Sequence, residues 1–150
     1  MTALNHLPAP AGIAPATGYS HVVSASGRLV AVSGQVSLDE HGRVVGAGDA
    51  AAQARQVFEN LRRCLLAAGA TFADVVKLTF YVTDVASLPV VRVARDEVID
   101  PERPPASTAV QVAALFRPEF VVEVDALAVV ADPPAAPSPA APSPGDSGRG

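Results

Sequence analysis

The chain has no tryptophan, one cysteine, one methionine and two tyrosines among its 150 residues. One cysteine cannot close an intramolecular disulfide, so the fold has to rest on packing, and a reducing, cytoplasmic location is expected. Charge is sparse at 17% and leans acidic, with eleven Lys and Arg against fifteen Asp and Glu. Proteins that hold nucleic acid through counterion release carry a basic surplus, so nucleic acid is not an expected partner. No apolar run reaches the roughly 18 residues of a membrane span, and no membrane association is expected. The opening residues Met1 to Pro8 lack a basic n-region and an apolar h-region, so no secretory signal is expected either. His6, His21 and His41 lack the spacing of metal ligands, and no metal site is proposed. Ser33 and Ser107 have no readable His/Asp partners for a nucleophilic triad. Gly42, Gly46 and Gly48 do not form a phosphate-cradling loop.

What is present is apolar material, 49% of the residues, enough for one hydrophobic core. Residues 131–150 hold six of the fourteen prolines and no large apolar side chain. Such a stretch cannot bury enough surface to offset its ordering entropy, so a disordered, partly polyproline II tail is expected there. A flexible segment is expected over 1–14, leaving one domain over 15–130. Leu29–Val36 reads as a strand, with His21–Ser24 its hairpin partner across Ala25–Arg28. Asp49–Ala68 has no proline or glycine and repeats Ala54, Phe58, Leu61, Leu65 and Ala68 at helical spacing, with Gly69 placed as a C-terminal cap. Val75–Thr83 alternates as a strand. Ser87 is placed to cap a second helix from Pro89 to about Ile99, and Thr108–Leu115 and Phe120–Val130 complete the strands. The order β-β-α-β-α-β-β predicts an α+β domain.

Alternation splits each strand into two faces. One collects Val30, Val32, Gly34 and Val36, then Val76, Leu78, Phe80 and Val82, Val110 and Val112, and Val122, Val124, Ala126 and Ala128. This face suits burial under two amphipathic helices. The other carries Ser33, Gln35, Lys77, Thr79, Tyr81, Gln111, Glu123 and Asp125, yet also Leu29, Ala31, Leu115, Leu127 and Val129. A solvated sheet face should be more uniformly polar, so a second subunit is expected to cover it. Glu123 and Asp125 stand about 6.6 Å apart on that face. A carboxylate among aliphatic neighbours is costly to bury alone, so each either pairs, with Lys77 or an arginine, or orients a water.

Several segments taken together are specific: Tyr19-Ser20-His21, Val32-Ser33-Gly34-Gln35-Val36, the Gln53-Ala54-Arg55-Gln56 helix, Arg103-Pro104-Pro105-Ala106-Ser107-Thr108 and Val122-Glu123-Val124-Asp125. From about Pro15 to Val130 the chain resembles the YjgF/RidA (reactive intermediate deaminase) family. The resemblance implies a chorismate-mutase-like fold, a single domain whose mixed sheet carries two helices on one face. It also implies a homotrimer around a central β-barrel with clefts between subunits. The best-studied branch of that family hydrolyses enamines and imines released by dehydratases to 2-oxo acids and ammonia, without metal or organic cofactor. By position, Glu123 corresponds to the glutamate that orients the attacking water. Tyr19, Ser33, Thr108 and the backbone at Ala109 would place the substrate. Where the deaminase branch holds the substrate carboxylate with an arginine, this chain has Ser107. Arg92, at a position where that branch often has asparagine, is a candidate to compensate, and Arg103 is close by in sequence. Some members have been described as endoribonucleases, a role the acidic balance here disfavours. Two expectations follow: a hydrolase of small enamines, imines or related nitrogen compounds, weakened by Ser107 in place of the arginine, or a non-catalytic trimer binding a small metabolite in the same clefts.

Overall fold

The structure is a computed structural model, and it describes residues 3–132. The expected tail beyond Asp132 lies outside the described residues. Strands β1 (Asn5–Leu7) and β2 (Val22–Ser24) precede β3 (Arg28–Gln35) and helix α1 (Ala50–Ala67). Strand β4 (Val75–Val82), helix α2 (Leu88–Asp96), β5 (Ala106–Gln111) and β6 (Val122–Val130) follow. The main sheet has the order β3-β6-β4-β5, antiparallel except for the parallel pair β4–β5 that α2 connects. This is a chorismate-mutase-like α+β domain.

Helix α1 starts where Asp49 Oδ1 accepts the Ala52 amide at 3.0 Å. It ends in a left-handed turn at Gly69 (φ 73°), with the Gly69 amide donating to Leu66 O and the Ala70 amide to Leu65 O. Its inner stripe of Ala54, Val57, Phe58, Leu61 and Leu65 is buried against Val30, Val32, Leu78, Phe80, Val82, Val124 and Ala126. Helix α2 packs beside α1 and buries Val91 and Ala94. Ser87 does not cap it with its side chain; that hydroxyl donates to Asp84 O, and the Asp84 carboxylate caps the preceding turn.

Pairing corrects several expectations. Strand β2 pairs antiparallel with β1, not with β3. At Gly27 (φ 144°) the chain passes so close to β6 that a Cβ would overlap the Val130 carbonyl oxygen, which makes 25–28 a corner rather than a hairpin turn. Regular structure therefore begins before residue 15, at β1, within the segment read as flexible. Gly34 leaves the buried face because Ser33 and Gly34 together oppose Asp125 in a bulge, between the pairs Val32–Ala126 and Gln35–Val124. A second irregularity, between Val75 and Lys77, buries Val75 in place of Val76. Strand β5 starts at Ala106, directly after prolines that cannot donate to a ladder, and ends at Gln111. In that register Ser107, Ala109 and Gln111 share the helix-covered face with Leu78, Phe80 and Val82. Val110 points to the open face with Tyr81, and Leu115 lies outside any strand.

Candidate functional site

The parallel edge strand and α2 enclose a cavity of about 160 Å³ lined by Thr17, Gly18, Tyr19, Phe80, Leu88, Val91, Arg92, Arg95, Ser107 and Ala109. Strand β5 delivers Ser107 and Ala109 as alternate residues on one face, and α2 delivers Leu88, Val91, Arg92 and Arg95 at helical spacing. Tyr19 arrives because Ser20 bridges Ala106 and donates its amide to Pro105 O at 3.1 Å, extending the edge of the sheet. The Ser20 hydroxyl donates to Pro104 O at 2.7 Å and anchors the same crossing. Four residues picked out from the sequence, Tyr19, Arg92, Ser107 and Ala109, thus share one wall-to-wall space. Arg103 does not reach it; its guanidinium donates to Leu4 O beneath a different hollow.

Arg95 is the member that sequence reasoning missed. Its Nε and Nη2 donate to Asp96 Oδ1 at 2.8 and 2.6 Å, and its Nη1 donates to Gly18 O at 2.8 Å. The buried guanidinium latches the chain just before Tyr19 onto α2. The signal was available: Leu88, Val91 and Arg95 occupy i, i+3 and i+7, so an arginine stands in the apolar stripe, a place that demands partners. Ser107 carries a second signal. Its hydroxyl oxygen is buried with no hydrogen-bond partner, the one such side-chain atom among the described residues.

Glu123, Thr108 and Ser33 lie on the other side of the sheet. Glu123 projects from β6 to the open face, where its carboxylate rests on Gly34; a Cβ there would overlap Oε1 and stand 2.8 Å from Cδ. The bulge at Ser33–Gly34 makes this seat by turning a residue without a side chain toward β6. Thr108 accepts a 2.6 Å hydrogen bond from Lys77, so Lys77 does not form the expected ion pair with Glu123 or Asp125. Asp125 is instead taken by the Tyr81 hydroxyl at 3.1 Å. Within one chain the sheet separates Glu123 from the cavity. Among the described residues no three His, Cys, Asp or Glu side chains gather as a metal site, and no helix is long and apolar enough to cross a membrane.

The family model described as Endoribonuclease L-PSP matches residues 9–130. The chain is 38% identical over 122 residues to Protein DfrA of Myxococcus xanthus, covering 81% of this chain and 89% of that one. It is 35% identical over 121 residues to the 3-aminoacrylate deaminase RutC of Acinetobacter baylyi, covering 81% and 94%. Its structure is similar to that of the Rid-family protein YyfB from Yersinia pestis, with a TM-score of 0.75 at 34% identity, covering 85% and 98%. The chain belongs to the YjgF/RidA family.

In this Rid protein the open face has its own electrostatics. The hydrogen bond to Asp125, then that carboxylate's charge, burial, and the charge of Glu123 all raise the Tyr81 pKa above 10.0. The neutral phenol is the form favoured by folding. Its contribution is present below the ordinary tyrosine pKa and is lost as pH rises through the raised one. With Tyr19→Phe leaving a single tyrosine, spectrophotometric titration is expected to show ionisation above the ordinary value. Asp125→Asn is expected to bring it back down, and an unmoved titration in that variant would remove the pairing from consideration.

Proposed function

We propose that this Rid protein hydrolyses small enamines or imines, or related nitrogen compounds, in a cleft that two copies of the chain complete. The observation that carries the reading is the division of the site. One face offers a shielded cavity with Tyr19, Ser107 and Ala109, and the other presents Glu123 with its carboxylate seated over Gly34 while Asp125 is occupied by Tyr81. Neither half contains the other's chemistry, so the open face of one copy would have to meet the cavity of the next. Supporting this, the open face carries Leu29 at 63% exposure, together with Val110 and Leu127, apolar surface that a second copy would remove from water. A homotrimer is the assembly the family resemblance suggests. The named activity of RutC supports the chemistry.

In the proposed reaction Glu123 accepts a hydrogen bond from a water and aims its lone pair at the carbon of the C=N bond. Addition gives a carbinolamine. Its collapse releases ammonia and leaves a carbonyl compound, a 2-oxo acid when the substrate is a 2-imino acid. Hydrophobic walls of Phe80, Leu88 and Val91 exclude competing waters. A second reading, a trimer that only binds a metabolite, is favoured by one feature: Ser107 stands where the deaminase branch has its arginine. A dehydratase-coupled assay that generates 2-iminobutanoate separates the two. Accelerated release of 2-oxobutanoate is expected, falling about 100-fold in Glu123→Gln, which keeps the shape and removes the charge. No acceleration in the unaltered protein would leave the binding reading.

A further inference from the structure

The cavity wall formed by α2 has unused donors. Two arginines and no carboxylate line the space. Arg95 has a side chain only 9% exposed, and three of its N–H groups are engaged, two by Asp96 and one by Gly18 O. A guanidinium carries five, so two remain without a partner among the described residues. Opposite, the buried Ser107 hydroxyl also lacks one. Arg92 sits exposed beside the same space with no carboxylate partner among the described residues. Asp96 balances one of the two guanidinium charges, so the wall is left net positive. Buried donors without acceptors are costly, and a fork of guanidinium N–H groups matches a planar carboxylate.

We infer that this wall is an anion receptor: Arg95, held rigid by Asp96 and Gly18, and Arg92, at the exposed side of the same wall, take the carboxylate of the substrate from α2 rather than from β5. The inference deepens the hydrolase reading, and rests on it only for the nitrogen-bearing end of the molecule. Size narrows the class further. A cavity of about 150 Å³ accommodates a benzene-sized molecule, so the 160 Å³ here suits a monocarboxylate of about six non-hydrogen atoms. Ser107 then has a positive role: on this strand a short side chain leaves room for an anion approaching from the helix.

Calorimetric titration of the full chain with 2-oxobutanoate and with its neutral amide, 2-oxobutanamide, tests the receptor without any turnover. The carboxylate is expected to bind at least ten times more tightly than the amide. Arg92→Gln is expected to weaken carboxylate binding about tenfold while leaving the amide unaffected. Arg95→Lys keeps the charge but loses the fork, and is expected to weaken the carboxylate at least as much; its melting temperature is measured alongside, and if it does not fold Arg92→Gln carries the test. Equal binding of acid and amide, no binding of either, or carboxylate affinity unchanged in both variants overturns the receptor. Rapid imine hydrolysis with no charge preference would sink it while sparing the hydrolase reading. A charge preference abolished in Arg92→Gln without any hydrolysis would do the reverse.

Discussion

Gln53→Leu is expected to destabilise the protein by about 2–4 kcal/mol, lowering its melting temperature by about 10 °C. Gln53 is fully buried on α1, and its amide is used at both ends. Nε2 donates to Gly46 O at 3.1 Å and to Glu119 O at 2.8 Å, while Oε1 accepts the Val121 amide at 2.9 Å. Leucine has nearly the same volume, so packing changes little and the loss isolates the polar term. The Glu119 carbonyl and the Val121 amide would be left without these partners, each costing about 1–3 kcal/mol and partly relieved by local movement, while Gly46 O keeps the Asp49 amide at 2.9 Å. The bonds join the turn before α1 to the entry of β6, the strand that carries Glu123. Amide exchange at Val121 should therefore accelerate more than exchange at Leu78, in the centre of the sheet. A loss under about 1 kcal/mol would mean that water replaces the amide and that Gln53 does not hold β6 in place.

Gln53 also shows where the sequence stopped being legible. The 3.6-residue repeat of α1 identified Ala54, Phe58, Leu61 and Leu65 as core, because burial of an apolar side chain depends only on which side of a helix it occupies. Gln53 lies within the same buried arc, but two of its three partners are 66 and 68 residues away in the chain, and no local pattern names them. The strands failed differently. A period of two is unforgiving of one inserted residue, so the bulge at Ser33–Gly34 and the irregularity near Val76 reversed the faces on one side of each. Beginning β5 at Ala106 rather than Thr108 did not itself change the phase; the alternation there was misassigned because Val110 and Val112 resemble core residues. On an edge strand, apolar character and burial separate, and Val110 is 40% exposed. Of the site, Tyr19, Ser107, Ala109 and Arg92 do come together. Arg95 went unread, although its place in the apolar stripe of α2 was visible in the sequence, and its contacts identify it.

The bulge that confounded the face assignment yields the sharpest test of the proposed chemistry. Gly34→Ala is expected to reduce imine hydrolysis about 100-fold while changing stability by less than about 1 kcal/mol. The backbone at Gly34 does not occupy the left-handed region, so alanine fits its conformation. What the new methyl meets is the far end of a flexible side chain: it would overlap Glu123 Oε1 and stand 3.1 Å from Cγ. The carboxylate can swing aside with little strain, and the entropy lost by the unfolded chain offsets part of what remains. Its reach toward a bound substrate would shift by an ångström or more, and misplacement of that order costs about 100-fold in rate when a group must aim a water. Gly34→Ala and Glu123→Gln would then disable one function by two routes, so their combination should be scarcely slower than either alone. Multiplicative losses in the double variant would separate Gly34 from Glu123. An undiminished rate in Gly34→Ala, with its fold intact, would show that the carboxylate's seat does not matter and that the water is positioned by another group.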